Sequence, residues 1–192
     1  MWVVKLGGSW ADHDRLPHWL QALVHDGGGR VVLVPGGGPF ADQVRRMQRR
    51  WRFGDRHAHR MALLAMHQYA WMLAALRPDL APLEEIEALG TCVRQGRVPV
   101  WLPRLEDLDA AGVPADWTVT SDSLAAWLTS RLNAVGLALL KQVSVPGPNP
   151  CTLQCEGIVD AAFPRWFPRN KTLQIFAPDQ LEDFREFLRR LP

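Results

Sequence analysis

Two short apolar runs near the N-terminus each stop at glycines: Val3-Val4-Lys5-Leu6-Gly7-Gly8-Ser9 and Val31-Val32-Leu33-Val34-Pro35-Gly36-Gly37-Gly38-Pro39-Phe40. β-Branched runs of this length read as strands, and the stretch after each carries the spacing of an amphipathic helix. A strand that ends in glycines and opens a helix puts bare backbone N–H groups at a positive helix end, a ready anion site. Two such turns on neighbouring parallel strands would face one another across one crevice. One turn suits the phosphates of a donor and the other an anionic acceptor, which points to phosphoryl transfer.

The rest of the chain keeps the alternation. Leu16, Trp19, Leu20, Leu23 and Val24 predict a helix over 17–26, ended by Asp26-Gly27-Gly28-Gly29 before a second strand at 30–34. Phe40, Val44, Met47 and Trp51 mark one face of the next helix. A longer one spans 59–76 and stops at Arg77-Pro78, and 83–93 reads as helix. Val98–Leu102 is a short strand whose Pro99 favours a sheet edge or a strand start. Thr118–Ser123 has the hydroxyl and carboxylate groups of a helix entrance, backed by Leu124, Trp127, Leu128 and Leu132. Leu137–Val143 reads as a strand interrupted at Lys141, 146–150 as a loop, 173–176 as a strand and 181–191 as a final amphipathic helix. The expectation is an α/β fold, a three-layer αβα sandwich with a mainly parallel open sheet, as one domain over 1–192.

Composition narrows the function classes. At 47% hydrophobic and 22% charged residues the chain can bury a sizeable core. A formal charge of +2 is too small to imply a nucleic-acid partner. No run of about 18 apolar residues suggests a membrane span, and Met1-Trp2-Val3-Val4-Lys5 lacks a charged leader. Cys92, Cys151 and Cys155 make no disulfide framework, and no second ligand pair stands near Cys151 and Cys155 to make a metal site. A cytoplasmic protein is expected.

The ordered set Lys5-x-Gly7-Gly8-Ser9, Pro35-Gly36-Gly37-Gly38, Thr120-Ser121-Asp122 and Leu139-Leu140-Lys141 resembles the amino acid kinase superfamily. That superfamily includes acetylglutamate, aspartate, uridylate and isopentenyl phosphate kinases. His57–Tyr69, Thr118–Trp127 and Gly157-Ile158-Val159-Asp160 are similar to the small kinases of methanofuran-type cofactor biosynthesis. Those enzymes add a second phosphate to an aminomethylfuran-methyl phosphate. The resemblance implies ATP and Mg²⁺ as co-substrates and a small phosphate monoester as acceptor. After Lys141 this chain departs from larger relatives, which carry an Asp-Gly turn and a long nucleotide-binding segment there.

Each candidate residue has a chemical reading and a plainer one. Lys5, at the end of an apolar strand, needs a partner or an anion; it either bridges donor phosphates or snorkels to the surface. Gly7 and Gly8 let phosphates approach the backbone, and Ser9 caps a helix or donates to phosphate. Gly36, Gly37 and Gly38 are read as the acceptor-phosphate turn. Lys141, in mid-strand, is expensive unless an anion meets it, and is the second cation on the transferring group. Asp122 is either a helix N-terminal carboxylate, worth about 0.3–1 kcal/mol, or the organiser of the two lysines. The residues alone leave these even, and the resemblance selects the second. Ser121 follows as an acceptor contact. His57 and His59 contact the acceptor or are ordinary helix-end residues. His67 reads as structural, and Met61 and Met66 as core more than pocket.

Arg45, Arg46, Arg49, Arg50 and Arg52 read as a solvated helix face, with anion steering or a subunit contact as the alternative. Most tryptophans, such as Trp19, Trp51 and Trp127, fall at apolar helix positions. The amine of a furan acceptor needs an acidic or π-rich contact from Asp42, Asp55, Tyr69 or a tryptophan. Partners are expected to be a small-molecule phosphate, with neither nucleic acid nor membrane, and a Trp- or Arg-bearing helix face leaves room for a homo-oligomer. Competing readings are a uridylate- or isopentenyl-phosphate-type kinase and a non-catalytic nucleotide- or oxyanion-binding protein.

Overall fold

The computed structural model describes residues 1–145 and 147–192; Pro146, the first residue of the expected 146–150 loop, lies outside the described residues. Six strands form one parallel sheet: β1 (Trp2–Leu6), β2 (Val31–Pro35), β3 (Leu80–Leu83), β4 (Val98–Trp101), β5 (Gly136–Leu140) and β6 (Thr172–Phe176), in the order β3-β4-β2-β1-β5-β6. Parallel neighbours need crossovers, and helices supply them. α1 (Leu16–Gly27) joins β1 to β2. α2 (Gly38–Trp51) and α3 (Asp55–Leu76) lead to β3, and α4 (Ile86–Arg94) to β4. α5 (Leu105–Ala110) and α6 (Ser121–Arg131) precede β5. α7 (Pro150–Cys155) and α8 (Phe163–Trp166) precede β6, and α9 (Leu181–Arg189) closes the chain.

Strand alternation divides the core in two. Trp2, Val4 and Leu6 of β1 pack with α1, α9 and the later turns of α3. Val3 packs toward α4, α6 and α8 on the other face. Lys5, two residues on from Val3, therefore falls on the α6 side. The connection leaving β1 covers one face and the connection leaving β5 covers the other. The carboxyl ends of these adjacent strands thus border a switch point, where open α/β sheets place ligands.

Several expectations needed correction. β4 is an interior strand between β3 and β2, not an edge; Pro99 is its second residue, so the strand-start alternative holds, and one registered pair, Leu33↔Val100, joins it to β2. The edge on that side is β3, Leu80-Ala81-Pro82-Leu83, which runs straight into the helix expected over 83–93. Gly7-Gly8 opens a 3-10 turn over Gly8–Asp12 rather than an α-helix, so Ser9 caps no helix and is exposed. β5 ends at Leu140, which places Lys141 just past the strand instead of within it. Trp51 is 70% exposed and belongs to no core. Among the described residues no helix is long and apolar enough to cross a membrane.

Candidate active site

Three strand ends are tied together at the switch point. Gly36 N–H donates to the Leu6 carbonyl at 2.8 Å. The Leu140 carbonyl accepts from Gly7 N–H at 3.2 Å and from the Trp10 indole N–H at 3.0 Å. The two glycine turns do not merely face one another; they interlock. A Cβ on Gly8 would stand 2.3 Å from Gly38 N, and one on Gly36 would stand 2.4 Å from Gly8 N. Gly38 has φ +55°, a left-handed conformation that suits glycine. The glycines are thus required first by backbone-to-backbone packing, and they form one floor with α2 starting on it.

On that floor two ammonium groups share one carboxylate. Lys5 Nζ lies 2.9 Å from Asp122 Oδ1, and Lys141 Nζ lies 2.8 Å from Oδ2. Lys5 and Asp122 are buried and Lys141 is nearly so. The Lys5 contact is an ion pair outside hydrogen-bond alignment, which leaves Oδ1 without an aligned donor. Burial alone would raise the Asp122 carboxyl, but Lys5 and Lys141 outweigh it and hold its pKa below the ordinary value. Burial, and then the Lys5 charge, push Lys141 down from 10.5 to about 8 against the pull of Asp122. With both lysines protonated the trio carries one net positive charge in a largely buried place. Such a site favours an anion.

α6 presents Asp122 in its first turn, and its cap comes from far along the chain. Asp160 Oδ2 accepts from Thr120 N–H at 2.8 Å, Thr120 Oγ1 at 2.8 Å and Ser123 N–H at 3.0 Å. Its Oδ1 accepts from the Ser123 hydroxyl. Two residues earlier the Ile158 carbonyl accepts from Lys141 Nζ at 2.6 Å. Gln142 Nε2 donates to the Ser9 carbonyl at 2.7 Å, joining the segment after Lys141 to the 3-10 turn.

A cavity of about 320 Å³ opens over Lys5. The glycine floor lines one end with Gly8, Gly37 and Gly38, and α6 contributes Thr120 and Ser121. The far wall is aromatic and apolar, with Trp117, Leu63 and Met66, and it carries His59, Asp42 and Arg45. The Arg45 guanidinium lies 4.5 Å from the Trp117 ring centre and donates to Asp42 at 2.7 Å. Trp117 in turn donates to Gln48 Oε1 at 2.6 Å. Burial lowers the His59 pKa, with Asp116 and Asp109 opposing.

The structure thus brings together Lys5, Asp122, Lys141, Gly8, Ser9, Gly37, Gly38, Ser121 and His59, with Gly7 and Gly36 in the turns beneath. His57 is exposed, and Tyr69 is packed in the opposite core. Asp55 accepts from Gln48 Nε2 at 2.7 Å, and Met61 is exposed. Met66 is a core residue as expected and also lines the cavity, and Arg45 leaves the solvated face to reach it. His67 makes a 2.8 Å contact to the Pro103 carbonyl, as a structural residue should. Sequence reading missed Trp117, and singled out Asp160 within Gly157-Ile158-Val159-Asp160 without giving it a role. The Thr118–Ser123 polar run was the available sign that a cap had to come from somewhere.

A parallel sheet with two lysines and a glycine floor at its switch point is the architecture of a phosphotransferase. The profile of the amino acid kinase family matches residues 1–145, and the chain belongs to that family. A relative from Methanocaldococcus jannaschii, [5-(aminomethyl)furan-3-yl]methyl phosphate kinase, is 24% identical over 186 residues, covering 95% of this chain and 76% of that protein. Uridylate kinase from Archaeoglobus fulgidus shares the fold at a TM-score of 0.73 and 14% identity, over 100% of this chain and 97% of that one. Isopentenyl phosphate kinase does so at 0.65 and 15%, over the same shares.

Proposed function

We propose that this chain transfers the γ-phosphoryl group of ATP to the phosphate of a small monoester, aminomethylfuran-methyl phosphate, to give the diphosphate. The observation that carries the reading is the buried Lys5–Asp122–Lys141 trio, whose Lys5 lines the cavity. In the reaction an acceptor phosphate oxygen attacks the γ-phosphorus, the bond to the β–γ bridging oxygen breaks, and ADP leaves with the electron pair. Lys5 and Lys141 meet the charge that spreads over the transferring oxygens, and Asp122 holds the two cations apart from one another and in place. The acceptor is already ionised, so no general base is needed.

Gly8 and Ser9 take the donor phosphates and Gly37 and Gly38, with Ser121 and His59, take the acceptor. Gly7 and Gly36 hold the two turns in place beneath them, through their N–H groups on the Leu140 and Leu6 carbonyls. Mg²⁺ would arrive with ATP as a co-substrate, held largely by phosphate oxygens.

The relative's name and the far wall of the cavity favour the furan acceptor. A planar ring suits Trp117, Leu63 and Met66, and the acidic group on the cavity wall is the Asp42 carboxylate that Arg45 holds. The test is ADP release with Mg-ATP and, in turn, the furan phosphate, the furan alcohol, UMP, isopentenyl phosphate and acetylglutamate. The furan phosphate should be fastest. Preference for UMP or isopentenyl phosphate would keep the mechanism and remove the acceptor assignment. Preference for the alcohol or acetylglutamate would remove the phosphate acceptor, and no turnover with any would leave a binding protein.

A further inference from the structure

We propose that Asp160 is a positioning residue for phosphoryl transfer, fixing the first turn of α6 and the Ile158 carbonyl in one frame so that Lys141 meets Asp122. The inference rests on the kinase reading of the site and adds a residue to it.

The Thr120 side chain does not cap its own helix. Asp160, 40 residues on, supplies the acceptor instead. A helix cap satisfies one or two orphan N–H groups. Asp160 receives four hydrogen bonds, all from Thr120 and Ser123, the residues on either side of Ser121 and Asp122. It takes the N–H groups of residues 120 and 123 and leaves those of Ser121 and Asp122 without an acceptor among the described residues. Thr120 and Ser121 line the cavity, so the cap selects which donors stay open beside it.

The same short segment holds Lys141. The Ile158 carbonyl is its second oxygen partner, at 2.6 Å. Ile158 N–H and Val159 N–H both donate to the Leu153 carbonyl, and Ala162 N–H donates to the Thr118 carbonyl at 3.0 Å. Residues 158–162 are thereby stitched to α7 on one side and to the approach to α6 on the other. A displacement of Asp160 moves both oxygens that Lys141 touches. The charged groups facing Lys141 are Lys5 from β1, Asp122 from α6 and Asp160 itself.

The experiment compares Asp160→Asn, Asp160→Ala and Ser123→Ala with wild type. It reads kcat and KM for both substrates across pH, and the Lys141 titration by NMR of isotopically methylated lysines, assigned with Lys141→Arg. Asp160→Asn keeps the shape and removes the charge, so the Lys141 titration and the alkaline limb of kcat/KM should both move down by about 0.3 unit or more. Asp160→Ala should lose about tenfold or more in kcat, with a smaller change in KM for ATP. Ser123→Ala, which removes one bond and keeps the charge, should leave the titration where it is. A folded Asp160→Ala with kcat within about twofold of wild type and an unmoved Lys141 titration overturns the proposal. If that variant does not fold, the Asp160→Asn titration decides. If wild type makes no ADP from any phosphate acceptor, the kinase reading fails, and the titration alone decides what Asp160 does.

Discussion

Lys5 and Lys141 reach the same carboxylate from different places, and the difference has consequences for pH. Replacing either by Ala should lower turnover by about 10²–10³-fold, the scale of one preorganised charge stabiliser, with the fold kept. Steady-state kinetics on the folded variants checks this; near-normal turnover of Lys141→Ala would sink the two-cation mechanism. Lys141 titrates at about 8 because burial and Lys5 oppose its charge. In the free enzyme, kcat/KM should therefore fall as pH rises through about 8, while kcat persists to higher pH because bound phosphates hold the proton. Whatever activity Lys141→Arg retains should lack that limb. For stability the sign is the reverse. The unfolded chain binds the Lys141 proton up to 10.5 and the folded one only to about 8, so this group makes the fold more stable as pH rises between them. Asp122, held below its ordinary value, contributes stability that is lost as pH falls through its folded pKa. Denaturant midpoints across pH read both. The lysines were legible in the sequence because a charge inside an apolar run stands out. The role of Asp160 was not, since it depends on contacts about 40 residues away in the chain, and Arg45 was hidden in a run of equally basic neighbours.

The glycine turns show how far an element can be read from a local pattern. Strand, glycines and helix were legible at β2–α2. The contact between the two turns was not, because a glycine that frees space for phosphate and one that frees space for another backbone look alike. The structure separates them. A Cβ on Gly8 meets Gly38 N at 2.3 Å and Gly38 Cα at 2.7 Å, backbone atoms that cannot turn aside. Gly8→Ala should destabilise by about 1–3 kcal/mol and raise KM for both substrates, since both turns shift together. A change confined to the ATP KM would show that the turns move independently. Gly90, inside α4, is the counter-case: a Cβ there has only the Arg94 guanidinium at 3.5 Å and the Met1 methyl at 3.8 Å nearby, both ends of flexible side chains. Gly90→Ala should stabilise by up to about 1 kcal/mol without altering kinetics, as thermal melts and initial rates will show. Elsewhere the unread elements were short ones. β3, α5, α7 and α8 span four to six residues, too few for a period to declare itself, and tertiary packing decides them.

Across the whole molecule, two buried aspartates among the described residues each bind two cations, and only the Asp122 pair reaches the cavity, through Lys5. Asp26 of α1 accepts from Arg185 at 2.9 Å and Arg189 at 3.1 Å, both on α9. Arg30 adds donors to the Leu188 and Arg189 carbonyls at 3.1 and 3.2 Å. This cluster clamps the last helix over the face that Trp19, Leu23, Phe184 and Leu188 bury. Burial would raise the Asp26 carboxyl, and the two arginines more than reverse it. Its contribution is therefore present above the unfolded carboxylate pKa and lost as pH falls through the folded one. The arginine side chains are 30% and 55% exposed, so water takes over when the carboxylate is removed. Asp26→Ala should then cost only about 1–2 kcal/mol of stability and leave kcat and both KM values unchanged. Asp122→Asn is the opposite experiment. Its two ammonium groups are 5% and 12% exposed, so with the carboxylate charge gone they repel with little screening, and the transferring phosphoryl group loses its organised cations. Turnover should fall by about 10²-fold or more, beyond what any shift in the urea midpoint explains. Measuring urea midpoints and kcat on both variants separates a clamp from a site. A large kcat loss in Asp26→Ala, or full turnover in Asp122→Asn, would mean that the roles of the two aspartates have been assigned the wrong way round.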